Sequence, residues 1–282
     1  MRDYPKVIEI QFHNLCNANC SICPYKSMNY APNKMTDELF DKFIEDIKGQ
    51  SIERIIPYLN NEPFLQEDFV ERVRRIRGAN PNAEIEISTN LMFFTKEKML
   101  ALREIGITEI RASVFGYTLE TYKRMMPTAN RDKAFETLQN LSEVFKGTST
   151  VVGIVMIDTG DIDESEFVSM KELADSLGFE FNRWGFLDRA KNVSGRSNEF
   201  HRDDVIGCEQ NRPTERMHIL CDGRVIFCCQ DWSHTCVCGN LNNNTISEIW
   251  NGDKYNALRT ALFSEEYSAP GICKDCKLAI CR

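Results

Sequence analysis

The sequence predicts an α/β protein: a partial, TIM-like (β/α)6 barrel followed by a small cysteine-rich α+β domain. Three observations carry that prediction. The first two-thirds of the 282 residues alternate strand and helix patterns. Six such units are present, two short of a closed eight-fold barrel. Beyond residue 205 the texture changes to short strands and clustered cysteines.

Residues 6–14 (KVIEIQFHN) alternate apolar and polar side chains, the period of a half-buried strand. Residues 36–48 put Leu39, Phe40, Phe43, Ile44 and Ile47 on one helical face, with Thr36 as N-cap and Gly49 just beyond the end. Strands follow near residues 54–59, 84–88, 109–114, 150–157 and 180–184. Helices fall near 67–77, 95–105, 119–126, 131–145 and 164–177. Strands joined by helical crossovers make a parallel sheet, and right-handed crossovers curl it toward a barrel. The expected boundaries are a barrel at 1–190, a polar linker at 191–205 and a second domain at 206–282. In the last, Asp222-Gly223 reads as a hairpin turn between 217–220 and 224–227. A helix starts at Thr245, where Glu248 completes a capping box, and another covers 255–263.

Composition excludes several classes. No segment approaches the run of roughly 18 apolar residues that a membrane helix needs, and the N-terminus mixes charges with a proline, unlike a signal peptide. A cytoplasmic location without membrane contact is expected. A formal charge of −8 argues against nucleic acid as a partner. It would suit a neutral or cationic substrate, although surface charge also serves solubility.

The twelve cysteines fall into two groups. Cys16, Cys20 and Cys23 form one. Cys208, Cys221, Cys228, Cys229, Cys236, Cys238, Cys273, Cys276 and Cys281 form the other. A disulfide framework suits small secreted domains, whereas this chain is large and lacks a secretion signal. In a reducing compartment, clustered thiolates more often hold metal. The first group reads C-N-A-N-C-S-I-C and follows the first strand directly, at the rim where parallel α/β folds gather active sites. Three thiolates on a [4Fe–4S] cube leave one iron free to bind a cofactor. A zinc site, with His13 as fourth ligand, is the other reading.

This spacing, its place after the first strand and the six-unit alternation resemble the radical S-adenosylmethionine (SAM) superfamily over essentially the whole chain. The resemblance implies that Cys16, Cys20 and Cys23 hold a cluster whose open iron is chelated by the amino and carboxylate groups of SAM. One electron then cleaves SAM to methionine and a 5′-deoxyadenosyl radical, which takes hydrogen from a substrate carbon. The family usually has an aromatic residue before the third cysteine; here it is Ile22, with Tyr25 two positions after Cys23. After the second strand come Asn60, Asn61, Glu62 and Pro63, where many members have Gly-Gly-Glu-Pro. Asn tolerates unusual backbone angles, and Glu62 would accept from the SAM ammonium. Ser88, Thr89 and Asn90 are expected at the SAM ribose or carboxylate. Arg111 and Ser113 share a face of the fourth strand, and Arg111 could pair with the SAM carboxylate or be a surface arginine. Met156 could pack adenine or simply fill the core.

The second group resembles the SPASM and shorter "twitch" domains of these enzymes. Cys208, Cys228 five positions after Gly223, and the Cys273/Cys276 pair carry that likeness, together with the texture of Gly239, Asn240, Leu241 and Ile246 to Trp250. By position, Cys208, Cys228, Cys273 and Cys276 are implied as ligands of one auxiliary [4Fe–4S] cluster. A two-cluster domain normally continues with further cysteines, so one auxiliary cluster is expected. A zinc ribbon is the alternative. Cys221, Cys229, Cys236, Cys238 and Cys281 stay unassigned: small buried hydrophobes, a second metal site, or a reactive thiol facing substrate. Cys229 and Cys281 are the candidates for that last, catalytic role. Cys229 adjoins an expected ligand, and neighbouring strand residues point to opposite faces.

The expected partner is a small polar substrate such as a sugar or aminocyclitol, with flavodoxin or ferredoxin as electron donor. Abstraction from an alcohol followed by electron transfer to the auxiliary cluster gives dehydrogenation. Return of hydrogen by a thiol gives epimerisation. Peptide maturation is disfavoured, since the first strand begins near Lys6 and leaves no room for a leader-binding domain. An iron–sulfur electron carrier is the reading from another class; the Asn60–Pro63 motif argues against it.

Overall fold

A computed structural model describes residues 3–193, 195 and 200–282. Six strands run parallel in chain order: β1 Val7–Ile10, β2 Arg54–Ile56, β3 Glu84–Thr89, β4 Glu109–Ser113, β5 Val151–Asp158 and β6 Glu180–Gly185. Between them lie α1 Tyr25–Met28, α2 Asp37–Ile47, α3 Phe69–Ala79, α4 Lys96–Ile105, α5 Leu119–Met125, α6 Arg131–Phe145 and α7 Glu164–Leu177. The expected order of elements therefore holds, and the open barrel is present.

Local chemistry explains the boundaries. Thr36, Thr95, Thr118, Asn130 and Asp163 each cap a helix by accepting from a backbone N–H in its first turn. Gly106 and Gly178 close α4 and α7 in the left-handed region. Leu39, Phe40, Phe43, Ile44 and Ile47 of α2 are all buried, each worth about 1.5–3 kcal/mol.

The strands alternate between a helix-facing side and a side turned into the barrel, and only the edge strand β6 is largely exposed. Ile8, Ile10, Ile85, Ile87, Ile110 and Ala112 are fully buried in the core that packs strands against helices. The opposite faces carry a charged network inside the barrel. Arg54 pairs with Glu86 (2.6 Å) and Glu109 (2.9 Å), and Arg111 with Glu86 (2.7 Å) and Glu109 (2.6 Å). The half-buried strand expected at 6–14 is thus buried on both faces, Glu9 being only 8% exposed. It is also shorter, because past Ile10 the chain leaves the sheet for the cysteine loop.

The C-terminal part comprises β7 Val205–Cys208, α8 Arg212–Glu215, β8 Arg216–Ile219, β9 Arg224–Ile226, β10 Val237–Asn240, α9 Ile246–Asn251, α10 Asp253–Phe263, α11 Gly271–Lys274 and β11 Ala279–Cys281. The hairpin of β8 and β9 forms at the expected turn. Gly223 sits at φ +87°, and a Cβ there would come within 2.8 Å of Asn240 Oδ1, so both backbone and space require glycine. β8 also pairs in parallel with β1, which continues the barrel sheet to nine strands in the order β10-β9-β8-β1-β2-β3-β4-β5-β6. β7 and β11 make a separate two-stranded sheet. The capping box at Thr245 and Glu248 is formed, and Trp250, Tyr255 and Leu262 anchor α9 and α10. The expected linker includes Ser194, Arg196, Ser197, Asn198 and Glu199, which lie outside the described residues. Among the described residues no helix is long and apolar enough to cross a membrane.

Candidate active site

The loop after β1 carries Cys16, Cys20 and Cys23 across the C-terminal end of the sheet. It is pinned at several points. The Cys16 N–H donates to Tyr25 Oη (2.9 Å), the Ser21 N–H to the Met125 carbonyl (2.9 Å), and the Asn19 N–H to Thr128 Oγ1 (2.9 Å). The Glu62 N–H donates to the Leu15 carbonyl (3.0 Å), which ties the loop after β2 to the loop after β1.

All three cysteines line one cavity of about 190 Å³ together with Asn60, Asn61, Glu62, Ser88, Thr89, Asn90 and Ser113. Glu62 is its electrostatic centre. The carboxylate accepts from Thr89 Oγ1 (2.7 Å), the Asn90 N–H (2.8 Å) and the Phe64 N–H (3.3 Å). Burial outweighs these bonds and pushes its pKa up to about 7. Ser88 and Ser113 hydroxyls meet at 3.4 Å. Pro63 does not reach the cavity; it opens the short helical turn Pro63–Leu65 and sets the direction of Glu62.

The residues present fit an iron–sulfur cluster with a cofactor beside it. Burial pushes the Cys16 thiol up to about 12 and raises Cys20 and Cys23 as well. Buried thiols of this kind become thiolates when a metal takes the proton's place. Two cavity residues, Asn60 and Trp232, carry buried donors (Nδ2 and Nε1) with no partner among the described residues. Such donors call for acceptors from a ligand. His13 lies outside this cavity; its ring nitrogens meet the Leu15 N–H (3.0 Å) and the Asn61 amide (3.3 Å). That removes the fourth ligand from the zinc reading.

Two expected cofactor contacts need correction. Met156 is fully buried in the helix-facing core. Its neighbour Ile157, on the other face of β5, is the one that reaches a cavity. Arg111 does face the barrel interior, but Glu86 and Glu109 hold its guanidinium and it does not line the cluster cavity. Sequence reasoning also missed Arg189 and Trp232, which line that cavity. Neither sits in a recognisable motif, so no local signal could have found them. Tyr25 was visible as the aromatic residue nearest the third cysteine.

A second, larger cavity of about 620 Å³ adjoins the first and shares Ile22 and Arg189 with it. Its walls come from β4, β5, β6 and the C-terminal part, including Trp184, Phe186 and Leu278.

Cys208, Cys228, Cys273 and Cys276 line a third cavity of about 20 Å³, with Pro213, Ile272 and Leu278 around them. β7 brings Cys208, the end of the hairpin brings Cys228, α11 brings Cys273 and the turn after it Cys276. Burial raises the Cys273 and Cys276 thiols, and each is further raised by a neighbouring cysteine of the set. None of the twelve cysteines is in a disulfide. Four thiols around one small space, Cys228 buried and the others half-buried, are a donor set suited to a cluster with no open iron.

The two candidate catalytic thiols stand elsewhere. Cys229 meets Glu9 and His218, the three ligand atoms lying within 4.8 Å of one another. Cys228, Arg212 and His218 hold Cys229 well below the ordinary thiol range despite its burial. Burial opposes a charge on His218, yet Glu9 at 3.4 Å and Cys229 push its pKa up to about 9. Cys281 ends β11. Neither thiol lines the cluster cavity or its larger neighbour. Cys221 is buried against Gln11 and Asn33, and Cys238 is buried in β10.

Comparison with known proteins agrees with this geometry. The radical SAM superfamily profile matches residues 10–170, and an iron–sulfur cluster-binding domain of SPASM type matches residues 208–277. GTP 3′,8-cyclase of Aquifex aeolicus (strain VF5) is 23% identical, over 92% of this chain and 94% of its own length. The SAM-dependent 2-deoxy-scyllo-inosamine dehydrogenase of Niallia circulans is 22% identical, over 96% of this chain and 92% of its own. Among solved structures, BtrN in complex with AdoMet and 2-DOIA superposes with a TM-score of 0.65 at 19% identity, covering 98% and 94% of the two chains. Streptococcus suis SuiB bound to precursor peptide SuiA gives 0.77 at 12% identity, over 98% of this chain and 70% of the other.

Proposed function

The chain belongs to the radical SAM superfamily and carries a SPASM iron–sulfur domain, and on that premise we propose that it dehydrogenates a small polar alcohol of the sugar or cyclitol kind. In this reading Cys16, Cys20 and Cys23 hold the SAM-binding [4Fe–4S] cluster, and Cys208, Cys228, Cys273 and Cys276 hold the auxiliary one. Bound at the open iron, SAM supplies a 5′-deoxyadenosyl radical that takes hydrogen from a substrate carbon. Glu62 would accept from the N–H of the SAM amino group, and Thr89 and the Asn90 N–H keep its carboxylate aimed. Asn60, Asn61, Ser88, Asn90 and Ser113 offer amides and hydroxyls to the remaining polar edges. Substrate occupies the larger cavity, beside Ile22. A flavodoxin- or ferredoxin-type protein supplies the electron.

The observation that carries oxidation over epimerisation is where the spare thiols lie. Cys229 is turned onto His218 and Glu9, and Cys281 stands on the small sheet, so neither is set to return hydrogen to a substrate beside Ile22. Arg212 supports an electron route: it lines the larger cavity and lies against Cys229 and Cys228, whose charges hold its guanidinium protonated. The Niallia circulans relative, named as a SAM-dependent dehydrogenase, aligns over nearly the whole chain.

The test is anaerobic incubation of reconstituted enzyme with reductant, SAM and a panel of sugars, cyclitols and their phosphates. 5′-Deoxyadenosine and a carbonyl product should appear in equal amounts. A product of unchanged oxidation state with inverted configuration would replace this reading by epimerisation.

A further inference from the structure

In a chain of formal charge −8, the larger cavity is walled by arginine. Arg111, Arg183, Arg189, Arg212 and Arg216 all line it, and no Asp or Glu does among the described residues. Three of the five are already neutralised from behind. Arg111 pairs with Glu86 and Glu109, Arg183 with Asp158 (2.7 Å) and Glu164 (2.8 Å), and Arg216 with Glu9 (3.2 Å).

Arg189 and Arg212 are different. Neither has a carboxylate within ion-pair distance among the described residues. Both converge on one neutral acceptor instead. The hydrogen-bond network orients the buried Gln230 amide so that its oxygen accepts from Arg189 (3.0 Å) and from Arg212 (2.7 Å). Two guanidinium groups brought to a single oxygen repel each other, and the repulsion is strong where water is scarce. The backbone enforces the arrangement. Arg189, Ala190 and Lys191 follow one another at φ +55°, +50° and +66°, and Asn211, just before Arg212, lies at +49°. Non-glycine residues enter that region at a cost, and runs of them mark places the surrounding fold over-determines.

We propose that Arg189 and Arg212 clamp a phosphoryl group of the substrate, so that the enzyme acts on a phosphate ester rather than on the free sugar or cyclitol. Two guanidinium groups with no carboxylate partner match the nearly two negative charges of a phosphate monoester. Guanidinium forks match its oxygens in geometry as well. A volume of about 620 Å³ lies in the range of small-molecule sites and admits a sugar phosphate. Because Arg189 and Ile22 border both cavities, a phosphate held there leaves the carbon skeleton next to the cluster site. This assignment rests on the radical SAM reading only for which carbon reacts; the anion site stands on its own residues. A competing account is that Arg212 merely offsets the charge of Cys228 and Cys229, and Arg189 that of Cys23.

Binding to the anaerobically reconstituted holoenzyme separates these. Glucose 6-phosphate, glucose and succinate are titrated, with Trp184 fluorescence or calorimetry as the readout. Glucose 6-phosphate should bind at least tenfold more tightly than either other probe, and progressively less well as salt rises. Arg212→Gln and Arg189→Gln should each lower that affinity tenfold or more, and Arg212→Lys should lose less. Wild-type holoenzyme that fails to bind the phosphate at millimolar concentration would overturn the proposal and leave the arginines as charge balance for the clusters. So would a double variant that binds as wild type, or a preference for succinate. The measurement needs no turnover. Phosphate binding without 5′-deoxyadenosine formation would count against the proposed reaction alone, and 5′-deoxyadenosine formation without phosphate binding against this inference alone.

Discussion

The two cysteine cavities differ in almost everything except their thiols. The one at the barrel rim has three cysteines, about 190 Å³ of space and a wall of amides, hydroxyls and one buried carboxylate. The one behind it has four cysteines, about 20 Å³ and mostly apolar neighbours. A missing fourth thiol and a polar annex go together, as do a complete set of four and no room. The first arrangement is built to present a metal to a ligand. The second is built to bury one. On the proposed reading, counting thiols separates the reactive site from the electron-storage site before any substrate is known.

The largest expected effect breaks the two sites apart. Replacing Cys16, Cys20 and Cys23 by Ala should remove one of two [4Fe–4S] clusters and abolish 5′-deoxyadenosine formation. Replacing Cys273 and Cys276 should remove the other cluster, keep SAM cleavage and stop product. Iron and sulfide analysis with product assay reads both. If SAM cleavage were lost in both variants, the two cavities would not be separable in this way.

Glu62→Gln comes next. It keeps the shape of the rim cavity but removes a charge-assisted hydrogen bond, worth about 1.5–3 kcal/mol. SAM affinity should fall about tenfold to a hundredfold while iron content stays constant. Unchanged affinity would take Glu62 out of the site.

The same carboxyl gives a pH signature that the apolar cavity lacks. Its pKa is raised to about 7, so it is largely protonated below that value and ionised above. Hydrogen bonds donated by the bound amino group favour the ionised form. SAM affinity should thus be steady above pH 7.5 and decline as pH falls through 7, by at most about tenfold per pH unit. A flat profile from pH 6 to 8 would mean that Glu62 does not meet the SAM amino group.

The smallest effect is expected from a thiol outside all three cavities. Cys281→Ala should change product formation less than about twofold, since the residue lies on the small sheet and lines none of them. Loss of product with 5′-deoxyadenosine still formed would restore the thiol to the reaction.

How much of this was legible in the sequence depended on range. Period-two and period-3.6 patterns located the six barrel strands and their helices, and caps such as Thr36 and Thr245 marked where helices begin. The first cysteine triad and the Asn60 to Pro63 run were readable because each lies within one loop. Which face of a strand looks inward was not readable. Both faces of β5 are apolar, so Met156 and Ile157 could be told apart only once the barrel had closed around them. Arg111 illustrates the same limit: Glu109 shares its face of β4 by period two, but Glu86 comes from β3, which period alone does not set beside it. Net charge was uninformative here: a total of −8 gave no hint that the cavity beside the cluster site gathers five arginines. Surface totals carry no information about local concentration.

One feature of the sheet reaches back to synthesis on the ribosome. β1 is hydrogen-bonded on one side to β2 and on the other to β8, whose residues leave the ribosome far later. At about 5–20 residues per second, the roughly 160 residues between these partners take on the order of ten to thirty seconds to emerge. Through that interval the nascent barrel holds a bare strand edge directly beside three unligated thiols. The edge is closed only when the hairpin arrives with Cys228. Completion of the sheet and arrival of the first hairpin cysteine are thereby one late event, with Cys273 and Cys276 following later still. A chain stalled before residue 216 would expose both an aggregation-prone edge and an oxidisable cysteine loop to the machinery that surveys nascent proteins.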